Sequence, residues 1–160
     1  MIKIEFEFDG KSKLDINKDA LLHIEAIAKK CFEHLKLNGS VLVNVTFNGD
    51  EQMQKLNNQV FEKDYATDVL SFPYIDKIDE FNSVNFPYDY DKQHDAVSVG
   101  DIVINLDAML RQSMQYQTKE RELSYLFVHG LLHLFGYDHI DDSDKQVMRK
   151  AEEELLRCFV

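Results

Sequence analysis

Three of the chain's six histidines fall close together in the stretch VHGLLHLFGYDHIDDSD, residues 128–144. His129 and His133 are four positions apart. On a helix this spacing stacks both imidazoles on one face, where two ring nitrogens can share a cation. Gly136 can end that helix, because glycine tolerates the left-handed turn that reverses a chain. His139 is then able to swing back towards the same ion. Three neutral nitrogens leave a fourth tetrahedral position open for water, which is the pattern of a catalytic rather than a structural zinc site. An HxxxH pair alone fits two unrelated histidines equally well. The glycine stop and the third histidine turn the pattern into a predicted metal site: one Zn2+ per chain, held by His129, His133 and His139. Without a metal, burying such a trio would be costly.

Gly130, between the first two histidines, is informative twice. A glycine inside a helix costs about 1 kcal/mol against alanine, so something must pass close to the backbone there, either a strand or a substrate. It also stands where the zinc-protease motif HExxH carries its general-base glutamate. With no carboxylate at this position, peptide hydrolysis by that route is disfavoured.

The elements that must position these histidines can be read from periodicity. Ile2, Ile4, Phe6 and Phe8 alternate with charged residues, as in a half-buried strand. Residues 18–37 switch to helical spacing through Leu21, Ile24, Ile27, Cys31 and Leu35, with Asn17 as the expected N-cap and Asn38-Gly39 as the expected stop. His23 and His34 flank that apolar face and read as surface helix residues. VLVNVTF, 41–47, is a second strand, and Met53, Leu56 and Val60 mark a second helix. TDVLSFP, 67–73, is a short strand that Pro73 ends or marks as an edge. Residues 75–96 have no period and read as an acidic surface excursion with a short helix or a mobile flap, either a lid over the site or a decoration. VSVGDIVINL, 97–106, is a fourth strand, with Gly100 signalling a bulge or a close approach. A short helix follows in DAMLRQSMQY. Thr118 then caps a helix that is apolar on more than one side, the pattern of a buried central helix. A last helix places Val147, Met148, Ala151 and Leu155 on its buried face. The expected fold is a single α+β domain over 1–160, a mixed four-stranded sheet packed with about five helices, the central one carrying HxxxH.

The bulk numbers agree with a soluble globular protein: 44% hydrophobic and 29% charged residues in 160. No apolar run approaches the roughly 20 residues that span a bilayer, and MIKIEFEFDG has no signal-peptide core. Cys31 and Cys158 make no CxxC and read as reduced thiols of a cytoplasmic protein, with a long-range disulfide as the alternative. The net charge of −11 opposes nucleic-acid binding, which usually needs a basic face. Any RNA-facing surface must then be a local basic or metal-centred patch.

HGLLHLFGYDH closely resembles the signature of the bacterial YbeY family. LNNQVFEKDYATDVLSFP, 56–73, and VGDIVIN, 99–105, resemble that family's other blocks, so the likeness covers nearly the whole chain. It implies a zinc-dependent, single-strand-specific endoribonuclease that acts on rRNA and with the small ribosomal subunit, with no membrane or DNA partner. It implies His129, His133 and His139 as ligands of zinc or another divalent metal. One departure matters. Phe61 stands where the family usually has an arginine able to grip a phosphate bidentately. Lys63 is the candidate substitute as a point charge, without the fork. Ala66 stands where a proline is common, which loosens a turn.

Around the metal, Asp138 is the candidate for orienting the site or handling a proton; a cap or turn carboxylate for the last helix is the alternative. Asp68 and Asp101 are either partners of the histidines or strand-end hydrogen-bonders. Arg111, Lys119 and Arg121 form either a basic patch for RNA or a solvated helix start. Two rival functions remain: a non-catalytic metal-binding ribosome-assembly factor, favoured by Phe61, and a metallopeptidase, opposed by Gly130.

Overall fold

The computed structural model describes residues 1–10, 16–116, 118–138 and 140–157. The chain runs β1 (Ile2–Phe8), α1 (Lys18–His34), β2 (Val41–Asn48), α2 (Asp50–Phe61), β3 (Val69–Pro73), β4 (Tyr90–Asp91), β5 (Ala96–Asn105), α3 (Leu106–Tyr116), α4 (Lys119–Leu134) and α5 (Asp142–Arg157). The fold is α+β, with a mixed sheet in the order β1-β2-β5-β3. β1 and β2 pair in parallel, as do β2 and β5, while β3 pairs antiparallel with β5. The two-residue β4 continues the β3 edge along the start of β5. The four long strands and five helices are those the periodicity predicts; β4 is too short to leave a pattern. No helix among the described residues is long and apolar enough to cross a membrane.

The core lies between the sheet and α1, α4 and α5. Val41, Val43, Val45 and Phe47 of β2 and Ile102 and Ile104 of β5 meet Ile24, Ile27, Leu126, Phe127 and Leu131 there. Alternation explains the sorting: successive strand residues point to opposite faces, so every second residue of β2 enters this layer. α4 is buried on several sides, which suits a central helix, and it is seated by Gly130. A Cβ at that glycine would stand 2.8 Å from Ile102 Cγ2. The close approach foreseen at Gly130 is thus made by a strand. Gly100 is a second close approach on β5: the β2–β5 register skips a residue beside it, and a Cβ would stand 2.4 Å from the Phe72 carbonyl oxygen and 2.6 Å from Leu134 Cδ2 of α4.

Two sequence expectations are corrected. α1 ends at His34, with Lys36 in the left-handed region at φ 55°, rather than at Asn38-Gly39. The Leu35 and Lys36 amides close on Cys31 and Glu33 carbonyls, so the helix is finished before the glycine arrives. The segment 75–96 contains no helix and is not a loose flap. Phe81 and Phe86 are buried and stacked 5.1 Å apart, Phe81 meets Phe135 edge-on, and β4 ties the segment to β5. Two aromatic contacts and a strand pair anchor what has no period. Cys31 is buried in the core; Cys158 lies outside the described residues.

Candidate metal centre

α4 delivers the first two histidines. Thr118 caps it, its hydroxyl accepting from the Arg121 amide at 3.3 Å. At the other end the Tyr137 amide donates to the Leu132 carbonyl at 3.0 Å and the Gly136 amide to the His133 carbonyl at 3.1 Å. With Gly136 at φ 93°, this is the paired closure of a Schellman motif. The chain reverses immediately after His133, as the glycine predicts, and enters the loop that carries Asp138 and His139. His139 lies outside the described residues.

The imidazoles of His129 and His133 meet almost perpendicularly, at 79°, with their Nε2 atoms 3.2 Å apart. Behind them, His129 Nδ1 lies 2.6 Å from Glu152 Oε1 on α5. A carboxylate oxygen only accepts, so Nδ1 carries the hydrogen and donates it. In the neutral ring this leaves Nε2 as the lone-pair nitrogen, directed towards His133. Two nitrogens bound to one tetrahedral zinc, each at about 2.0–2.1 Å, would themselves be about 3.3 Å apart. The observed separation and the neutral nitrogen donors fit such an ion. Tyr125, one turn earlier on α4, has its ring 6.0 Å from that of His129. Burial pushes its phenol pKa up, and the charges of Glu152, Asp68 and Glu122 add to the shift.

Glu152 is the residue that sequence reasoning missed. The stripe Met148–Glu152–Leu155 is the buried face of α5, whereas Val147, expected there, is exposed. A glutamate in the middle of an apolar stripe was the available signal.

The other candidates are dispersed. Asp138 is half-buried and lines a groove of about 400 Å³ with Phe135, Gly136, Tyr137, Asp144 and Val147. It does not cap α5; Asp141 does, accepting from the Asp144 amide at 2.8 Å. The Asp68 carboxylate takes the Val69 amide at 2.8 Å and the Gln112 amide group at 3.2 Å. That of Asp101 takes Asn44 at 3.0 Å and the Tyr74 hydroxyl. These are strand-end and cross-strand hydrogen bonds, and the carboxylate placed on His129 is that of Glu152. Arg111 is paired bidentately with Asp50, at 2.7 and 2.9 Å. Lys119 and Arg121 are exposed at the start of α4.

Phe61, at the end of α2, stacks on Phe72 with ring centres 6.1 Å apart. Ser71 pairs with Ile102, which faces α4, so Phe72 points to the opposite face of the sheet. The ring of Phe61 is therefore engaged in packing away from α4. Lys63 is exposed just past the left-handed cap of α2 at Glu62. The turn at Ala66 is held without proline, by the Asn57 side-chain amide donating to the Tyr65 carbonyl at 2.9 Å. A second cleft, of about 230 Å³, joins His133 to Pro73, Ile75, Lys77 and Gly136. The start of the 75–96 segment is thus one wall beside the histidines.

A Cβ at Gly130 would point at Ile102, so a larger side chain there would press into the apolar layer.

The family model described as Endoribonuclease YbeY matches residues 7–159. An Endoribonuclease YbeY from Clostridium botulinum (strain Eklund 17B / Type B) is 37% identical over 155 residues, covering 93% of this chain and 93% of its own. Another, from Alkaliphilus metalliredigens, is 42% identical over 115 residues, 71% of this chain and 68% of its own. The solution structure of TM1509 from Thermotoga maritima superposes with a TM-score of 0.62 at 24% identity, over 97% of this chain and 87% of that one. At that identity the likeness shows the fold alone.

Proposed function

The chain belongs to the endoribonuclease YbeY family, and from that premise we propose that it is a zinc-dependent, single-strand-specific endoribonuclease of the cytoplasm. Its proposed role is in rRNA processing and small ribosomal subunit maturation. Family membership supports endoribonuclease activity and an RNA substrate. The observation that carries the metal is the pair of Nε2 atoms 3.2 Å apart with a carboxylate behind one of them. His129, His133 and, by the sequence pattern, His139 would hold the ion.

A bound zinc supplies positive charge that polarises a phosphate oxygen and eases the ionisation of water. The chain's own residues do the rest. The three imidazoles are neutral ligands and leave that charge undiminished, which matters on a protein of net charge −11. Glu152 fixes the ring of His129. Pro73, Ile75 and Lys77 form a cleft wall that borders His133. Asp138, on the loop between the histidines, is the proposed proton-handling carboxylate, and Lys63 the proposed phosphate contact.

The test is cleavage of a short single-stranded RNA by zinc-loaded protein beside a His133→Ala preparation. Wild-type cleavage that the variant lacks supports the reading. Equal cleavage by both sinks it, since the activity would lie away from the histidines. Phe61 favours a second reading, a non-catalytic metal-binding assembly factor, because its ring is packed on Phe72 where the family pattern offers a guanidinium. That reading takes over if wild-type protein holds one zinc and cuts nothing.

A further inference from the structure

Glu152 is 9% exposed and sits between Met148 at 2% and Leu155 at 1% on the inner face of α5. A carboxylate in such a row is expensive to desolvate, and a buried polar pair replaced as a whole by apolar residues of similar volume often leaves a protein as stable or more so. Packing therefore gives no reason for a glutamate at this position. The reason is its partner: Oε1 is 2.6 Å from Nδ1 of His129, and the opposite nitrogen of the same ring lies 3.2 Å from Nε2 of His133.

An imidazole left to itself exchanges between two tautomers and rotates about its side-chain bonds. Each freedom lowers the fraction of molecules that present Nε2 as a lone pair in the right place. A buried acceptor on Nδ1 removes both. α5 supplies that acceptor from a rigid position, because Met148 and Leu155 pin the helix one turn on either side of it.

We infer that Glu152 is a positioning residue for the metal centre: it locks His129 in the Nδ1–H tautomer and aims Nε2 at the ion. The inference rests on the zinc reading above. It makes α5, which carries none of the proposed ligands, part of the metal site.

The test uses Zn2+ alone, in competition with a chromophoric chelator, on wild type, Glu152→Gln, Glu152→Met and His133→Ala. Thermal melts of the metal-free proteins run in parallel. Wild type is expected to hold one zinc and His133→Ala to lose it. Glu152→Met should bind zinc about 10–100-fold more weakly, and because it strands the Nδ1–H of His129 it should also lower the metal-free melting temperature. Glu152→Gln keeps an acceptor oxygen and should fall between. Nitrogen NMR of the metal-free wild type should find the hydrogen of His129 on Nδ1, and Glu152→Met should show a tautomer mixture. Zinc affinity equal to wild type in Glu152→Met overturns the inference and leaves the zinc reading standing. So does an affinity loss in Glu152→Met with His129 still held in the single Nδ1–H tautomer, which would mark a merely structural role. A wild type that binds no zinc, or a His133→Ala that binds it as tightly, overturns the zinc reading first and this inference with it. Finding the hydrogen on Nε2 in wild-type His129 overturns the inference independently of any metal.

Discussion

Replacing Gly130 by alanine sets two effects of known size against each other. Inside a helix the change should gain about 1 kcal/mol in backbone propensity. The structure opposes it, because the new Cβ would stand 2.8 Å from Ile102 Cγ2 and 3.3 Å from Cγ1. Ile102 is fully buried on β5, between β2 and β3, and its branched side chain has few rotamers to step into. Overpacking of this kind costs about 1–3 kcal/mol, and a contact this short against a fixed neighbour belongs in the upper half of that range. Gly130→Ala should therefore lose about 1–2 kcal/mol net, with each kcal/mol worth about 2–4 °C at this chain length. Urea unfolding in the presence of EDTA, which removes any contribution from metal, is the assay. The midpoint should fall with the slope unchanged. Ile102→Ala alone should cost about 2–5 kcal/mol, and the double variant should cost less than the sum by about 1 kcal/mol or more, since the clash is then gone. An alanine variant as stable as wild type, or a strictly additive pair, would show that α4 does not sit on β5 as described.

Two other perturbations have definite signs. The Tyr74 phenol is pushed up to about 12, by burial first, then by its hydrogen bond to Asp101 and the charge of that carboxylate. Its stabilising contribution is present below the ordinary tyrosine value of 10.0 and is lost as pH rises through about 12. Absorbance titration should thus show a tyrosine ionising at about 12 that Tyr74→Phe removes; an unchanged titration curve in that variant would contradict the assignment. Arg111→Ala breaks an exposed bidentate pair with Asp50 and should cost about 0–1 kcal/mol. Since that guanidinium is already engaged, single-stranded RNA affinity should stay within twofold, and a tenfold loss in a filter-binding assay would return Arg111 to the RNA surface.

How far the sequence revealed this molecule depended on whether a residue's role was local. The His129/His133 pair, the Schellman closure at Gly136, the caps at Asn17 and Thr118 and the bulge at Gly100 each involve atoms within a few positions, or a backbone demand that only glycine meets cheaply. Spacing therefore exposed them. One error was itself local: Lys36 takes a left-handed conformation that spacing does not reveal and ends α1 before Asn38-Gly39. The other arose where distant contacts took over: the 75–96 segment is fastened by Phe81 and Phe86, whose aromatic contacts follow no period.

Glu152 shows the same limit at the site itself. Twenty-three positions separate it from His129, in a helix whose sequence is full of exposed acids. Charge alone could not single it out. What distinguishes it is a conflict between levels: helical spacing puts position 152 in line with Met148 and Leu155, and the residue found there is the wrong one for a core. Such a conflict is costly to the fold, so it points to a task that an apolar side chain cannot perform. Holding a hydrogen on the far nitrogen of a metal-binding imidazole is such a task. The same reasoning makes Gly130 structural: its conflict with helix propensity is resolved entirely by Ile102, leaving nothing for a substrate to explain.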